Sequence, residues 1–300
     1  MSRFREYLEY GCAAAFCRVC RIFPERCIRA LARCLAFLVY AVVPWRRRTA
    51  LANCRAAFPD LSSVESRKLV RAAYRHAGDV VAESLLLLEG RLDRESILAR
   101  VDMTEVEKFR TIEAESSQGI LILTAHLGNW ELMAAAVALT SRNRCCAVGR
   151  RTTNPLLEER IVKPLRTRFG NRVIYKRKAM LPLVKALRRG QNVGLLIDQK
   201  ANRKTGVSVS FFGQEVRAVS SPAILQLRYG ITAVPLFLVR EASGRYTLKV
   251  GDPVPVPPEG EDVDARVREL TQRHQELIEA AIRDHPEQWL WMHDRWRRRR

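Results

Sequence analysis

The 300-residue sequence lacks a run of about 20 apolar residues, the length a membrane-spanning helix requires. Its longest charge-free apolar stretch, Cys34 to Trp45, holds twelve. A cleavable secretory signal is not expected either, because Glu6, Glu9 and Glu25 interrupt the N-terminal region and no small-residue cleavage site follows cleanly. No G-x-S-x-G elbow occurs, which argues against a serine nucleophile. Neither a P-loop nor a dinucleotide fingerprint is present. The chain has no internal repeat and no low-complexity linker. Acidic residues are few: 32 Asp and Glu stand against 52 Lys and Arg, for a net charge of +20. Such a field favours anionic partners, whether nucleic acid, acidic lipid headgroups, phosphorylated substrates or an acidic carrier protein. A nucleic-acid binder needs a recognition element as well, and no zinc finger or RRM-like aromatic motif accompanies the charge.

What is present begins with 47% hydrophobic residues, ample for the core of one α/β domain with appended helices. Eight cysteines occur, five of them before residue 35. Cys17 and Cys20 form a CxxC, but no second pair stands at zinc-like spacing. In an apolar helical context they read as small hydrophobic residues in a reducing compartment, with no metal site.

The sequence is organised around Gly119 to Ala138. Gly119 to Thr124 reads as a buried strand and Leu132 to Leu139 as a helix. His126 falls at the turn between them, followed by Gly128 and Asn129, which break and cap. Glu131 follows in the helix's first turn. Residues five apart on one continuous helix diverge by roughly 140°, so His126 and Glu131 meet only if His126 precedes the helix. In that geometry Glu131 holds one ring nitrogen and leaves the other as a base. The alternative is a half-buried histidine beside a glutamate that merely satisfies the helix N-terminus.

Residues 1–45 read as arginine-studded, aromatic-containing helices that lie at a membrane interface, or as an ordinary amphipathic packing element. Residues 46–300 form the second unit. Helices are expected over 46–58, from the Ser62-x-x-Glu65 capping box to about Glu89, over 93–100 and over 104–114. Beyond the His126 helix the pattern alternates. Strands fall at 145–148, 173–175, 193–197, 231–239 and 246–250, with 207–212 either a strand or an active-site loop. Helices fall at 154–169, 179–189, 220–229, 263–283 and 287–297. This predicts an α/β fold with a mixed, largely parallel central sheet flanked by helices. His126, Arg150, Arg151, Asp198 and Gln199 then all lie just past strand ends, where sites form in such folds.

His126-Leu127-Gly128-Asn129-Trp130-Glu131 resembles the HX4E motif of the lipid A biosynthesis (lauroyl or myristoyl) late acyltransferases, relatives of the HX4D glycerolipid acyltransferases. Asn53 with Ala57-Phe58-Pro59, Asp198-Gln199, and Pro286 to Trp291 with Arg295-Trp296 fall where that family has similar segments, so the resemblance runs from about residue 45 to the C-terminus. It implies transfer of a fatty acyl group from acyl-acyl carrier protein to a hydroxyl of an anionic glycolipid, a phosphorylated glucosamine disaccharide usually carrying Kdo. The setting it implies is the cytoplasmic face of a bacterial inner membrane. No cofactor and no nucleic acid are implied.

In that chemistry His126 is the general base and Glu131 its partner. Oxyanion or substrate contacts come from Arg150, Arg151 or the amides at the start of the Asn129 helix. Asp198 either supports a catalytic group, binds an acceptor hydroxyl or caps a turn. Trp289, Trp291 and Trp296 with His293 read as a packed cap or as part of an interfacial belt, packing being the favoured reading. Asp294 stands where the family has a basic residue, and a spanning N-terminal helix common in the family is missing or marginal. A lysophospholipid or other glycolipid acyltransferase, a basic nucleic-acid-binding protein and a catalytically silent membrane scaffold are the competing readings.

Overall fold

The structure is a computed structural model that describes residues 3–176, 179–201, 206–260 and 262–296. Three helices lead: α1 (Arg3–Ile22), α2 (Glu25–Val42) and α3 (Pro44–Ala57). The long α4 (Ser63–Leu88) starts at the predicted capping box, with Glu65 N–H donating to Ser62 Oγ and Ser62 N–H to the Glu65 carboxylate. Then come α5 (Arg94–Arg100), β1 (Val101–Asp102), α6 (Val106–Glu115), β2 (Leu121–Thr124) and α7 (Trp130–Thr140). After β3 (Cys145–Gly149), α8 (Pro155–Leu157) passes through a π-turn into α9 (Lys163–Thr167), followed by β4 (Arg172–Tyr175), α10 (Met180–Arg188) and β5 (Asn192–Leu196). The chain closes with β6 (Gly206–Phe211), β7 (Gln214–Val219), α11 (Ser221–Tyr229), β8 (Ala233–Arg240), β9 (Tyr246–Val250) and α12 (Val263–Asp284).

Among the described residues seven strands form one sheet in the order β1-β9-β8-β2-β5-β3-β4. Every pairing in it is parallel except β8 with β9. The central strands are near-continuous apolar runs because both faces are covered. Along β2, Leu121 and Leu123 face one core with Leu187 of α10 and Leu270 of α12. Ile120 and Ile122 face a second core with Leu132 of α7 and Phe109 of α6. The expected helix-flanked, mostly parallel mixed sheet is present.

Three segments depart from expectation. The helix expected over 154–169 is broken by a π-turn at Glu158–Val162, where Lys163 N–H reaches back five residues to Glu158 O. Pro164 supplies the reason, since it has no N–H to continue the α-pattern. The ambiguous segment at 207–212 is the first arm of a hairpin whose second arm, β7, the sequence reading did not include. Its two-residue turn places Phe212 and Gly213 at φ 52° and 69°, the left-handed pair that matches strand twist. No helix spans 287–296. A single 3-10 turn, Pro286–Gln288, opens an irregular strap that bonds to itself only in short local turns and shares two backbone bonds with the His126 turn. Arg297 to Arg300 lie outside the described residues.

Helix α2 is docked on α4 by its buried Ile28 and Ala32, at a crossing where Gly78 meets Arg33 so closely that a Cβ would sit 2.8 Å from its Cα. Charge fixes the contact. Arg33 bonds both oxygens of Asp79 at 2.8 and 3.0 Å, and Arg29 reaches Asp79 and Glu83 at 3.3 and 3.0 Å. The opposite side of α2 leaves Leu31, Leu35, Leu38 and Val42 exposed, one stripe at helical spacing. Among the described residues no single helix is long and apolar enough to cross a membrane. The α2–α3 pair, bent by 90°, meets that measure only together.

Candidate active site

Strands β2 and β5 lie side by side with Thr124 opposite Leu196, so carrying the register two residues further brings His126 beside Asp198. His126 sits in the turn before α7, as its spacing predicts. Gly128 makes the turn possible. Its φ is +60°, and a Cβ there would lie 1.9 Å from Leu238 O. Asn129 is fully buried and caps α7, its side-chain oxygen accepting from Leu132 N–H at 3.0 Å while its amide donates to Glu83 at 2.5 Å. Both ends of that side chain are therefore committed to structure, and the Asn129 backbone N–H donates to Leu238 O at 2.9 Å.

The imidazole's partner is Asp198, not Glu131. His126 Nδ1 lies 2.9 Å from Asp198 Oδ1, and the His126 N–H donates to Asp198 Oδ2 at 3.1 Å. Trp289 Nε1 donates to the same Oδ2 at 2.9 Å. Glu131 follows the turn into α7 and instead faces Arg166, 3.7 Å from its Nη2. The carboxylate five residues along is carried off by the first turn of the helix, whereas the adjacent parallel strand delivers one directly. The Gln199 amide nitrogen stands 3.4 Å from each ring nitrogen.

Burial alone would raise the Asp198 carboxyl. The His126 charge and the bonds from the ring, the Trp289 indole and the His126 N–H pull it down to about 2. For His126, burial pushes the pKa down, but the charge and hydrogen bond of Asp198, with the charge of Glu131, outweigh burial and the opposing Arg166, so the pKa is raised. The imidazole is poised to accept a proton, with Nδ1 engaged and its Nε2 edge at the cleft.

That cleft holds about 970 Å³. His126, Glu131, Gln199 and Arg150 line it, together with Arg166, Lys176 and His293. Its walls are largely apolar, with Met133, Val137, Leu183, Leu195, Ile224 and Val267 among them. Arg151 is turned away, its guanidinium 4.3 Å over the Tyr175 ring. Arg166, His293 and the link from Trp289 to Asp198 were not singled out as site features from the sequence. One more arginine in so basic a chain carries no signal of its own. Trp289 and His293 read equally well as part of a packed cap. Among the described residues no group of three or more His, Cys, Asp and Glu side chains converges to hold a metal ion, and all eight thiols are free.

A buried carboxylate holding a partly exposed imidazole at the carboxyl ends of two parallel strands, beside a largely apolar cleft with cationic groups in its lining, is the arrangement of a protein equipped for general acid–base chemistry. The family model for the bacterial lipid A biosynthesis acyltransferases matches residues 2–298, and the chain belongs to that family. It is 26% identical to the lipid A biosynthesis myristoyltransferase of Escherichia coli K12 over 82% of this chain and 73% of that one. It is 24% identical to the lauroyltransferase of the same organism, over 82% and 78%. A lipid A biosynthesis acyltransferase of Haemophilus influenzae matches at 22% over 98% of this chain and 92% of its own length. The protein is an acyltransferase.

Proposed function

We propose that this enzyme moves a fatty acyl group from acyl-acyl carrier protein to a hydroxyl of a phosphorylated, Kdo-bearing lipid A precursor, with His126 as the general base. The observation that carries the reading is the His126–Asp198 pair facing the apolar cleft. His126 Nε2 takes the hydroxyl proton as the oxygen attacks the thioester carbonyl. The C–O bond forms, the tetrahedral intermediate collapses, the C–S bond breaks, and the proton passes from the imidazolium to the departing thiolate. Asp198 fixes the tautomer and stabilises the imidazolium, a role expected to be worth a large part of the ~10²–10⁴-fold of general base catalysis. Glu131 adds negative potential to the same imidazolium from α7. Arg166, whose Nη1 is buried without a hydrogen-bond partner among the described residues, and Arg150 are the donors suited to the oxyanion and to acceptor phosphates.

Residues 1–45 serve as the membrane-associating segment and 46–300 as the acyltransferase domain. The outward stripe of α2, together with the exposed Arg26 of α2 and Arg46 and Arg48 of α3, suits the interface of an anionic bilayer at the cytoplasmic face of the inner membrane. The +20 charge suits the acidic carrier protein, the phosphorylated acceptor and that surface alike. Mass spectrometry of lipid A from cells with and without the gene tests the assignment. The expected result is one acyl chain fewer in its absence, and an unchanged lipid A profile would overturn it.

A further inference from the structure

We propose that Trp289 is a positioning residue of the reaction, acting through Asp198 on the His126 base; this rests on the reading of His126 given above. Trp289 is 2% exposed, and its one polar atom is aimed at Asp198 Oδ2. The ring itself is locked by an edge-to-face contact with Trp291, centroids 4.6 Å apart. Its neighbours in the strap hold the backbone of the same turn. Leu290 N–H donates to His126 O at 3.0 Å, Gly128 N–H donates to Gln288 O at 3.1 Å, and Leu127 pairs with Trp289 as an isolated antiparallel bridge. The strap thus grips His126 from both sides, by its carbonyl and through the carboxylate on its ring. A buried indole N–H needs an acceptor, and here that acceptor is the carboxylate that holds the imidazole.

The consequence is a defined sign. An indole N–H on Oδ2 spreads the carboxylate's charge over three donors. Removing it makes Asp198 more basic and tightens its hold on the protonated imidazole, so His126 gives up its proton less readily. The charged and titratable groups facing the imidazole are Asp198 after β5, Glu131 in α7, Arg166 in α9 and His293 in the strap, with Arg150 and Lys200 along the cleft and Arg295 acting on Asp198. A Trp289→Phe exchange removes none of these groups, takes one hydrogen bond from Asp198 and keeps an aromatic ring in place.

The test uses the full chain, a medium-chain acyl carrier protein thioester and detergent-dispersed phosphorylated glycolipid. In Trp289→Phe the acid limb of the kcat/KM profile moves to higher pH, and kcat falls about tenfold while KM stays within about twofold. In an Asp198→Asn background the same exchange costs nothing further, since the two act as one unit. In the wild-type protein the Trp289 indole N–H resonance titrates with the acid-limb pKa, a measurement that needs no folded variant. An unmoved acid limb, a fully additive loss in the Asp198→Asn background or a resonance flat across that pH range each overturns the proposal. His126→Ala run in parallel separates the two ideas. If it is inactive while Trp289→Phe behaves as wild type, His126 stands and Trp289 falls; if it is active, both fall.

Discussion

One ring nitrogen of His126 lies 2.9 Å from Asp198, just past the end of the neighbouring strand β5, which leaves the other for the proposed base role. His126 was legible because an apolar strand, a glycine and a capping asparagine bracket it within a few residues. Asp198 was legible as a residue past a strand end with three open roles, support of a catalytic group among them, but not as the partner of His126. That its strand lies next to that of His126, 72 residues away in sequence, is a fact of sheet order that no local pattern encodes. Asp198→Asn is expected to keep the fold and lower kcat by about 10²-fold or more, through loss of the tautomer and of the imidazolium's counter-charge. Steady-state kinetics with a thermal melt checks both halves. Because the His126 pKa is raised, the base is neutral only above the ordinary imidazole value of about 6.5. Activity should therefore fall away with an acid-limb pKa above that value, read from kcat/KM against pH. Asp198 works in the opposite sense for stability: its pKa is depressed, so its contribution is present above its unfolded value near 3.8 and is lost as pH drops towards 2. Urea midpoints measured from pH 5 to 2 should decline through that window and flatten in Asp198→Asn.

Between β2 and α7 the turn leaves little freedom. Gly128 combines a positive φ with a backbone carbonyl where a side chain would go, and the buried His76 ring lies 3.0 Å from its own carbonyl. Gly128→Ala should cost roughly 3 kcal/mol or more, seen as a fall in the denaturant midpoint, because the strain and the clash act together. The sequence showed the glycine as a breaker but not the approach of Leu238 that makes it necessary. The strap after Pro286 was misread for a related reason. Its composition suits a helix, yet its hydrogen bonds are drawn to the His126 turn and, through Asn53, to α3, whose amide meets Trp291 O at 2.8 Å. Local propensity loses wherever a distant segment offers the backbone better partners. The capping box of α4 lies wholly within four residues, and its geometry follows the sequence directly.

At the scale of the whole molecule, the proposed membrane association rests on the excess of positive charge and the exposed stripe of α2. Substituting Leu35 and Leu38 by Glu should abolish co-sedimentation with vesicles rich in anionic lipid, and raising salt should weaken the wild-type interaction. Transfer measured in detergent should be little changed by the same pair, since α2 is held to the domain by Arg29 and Arg33 on the other side. Equal vesicle binding by both proteins would remove α2 from the membrane account. The charge was legible from composition alone, whereas which helix face stays uncovered depended on how α2 docks against α4.

The central claim is that His126 activates the acceptor hydroxyl. Its most direct test incubates purified protein with acyl-acyl carrier protein and the Kdo-bearing glycolipid and follows the acceptor by mass spectrometry. The wild-type protein should add the mass of one acyl chain, and His126→Ala, shown to be folded, should do so at least about 10²-fold more slowly. Equal rates of product formation by the two proteins would contradict it.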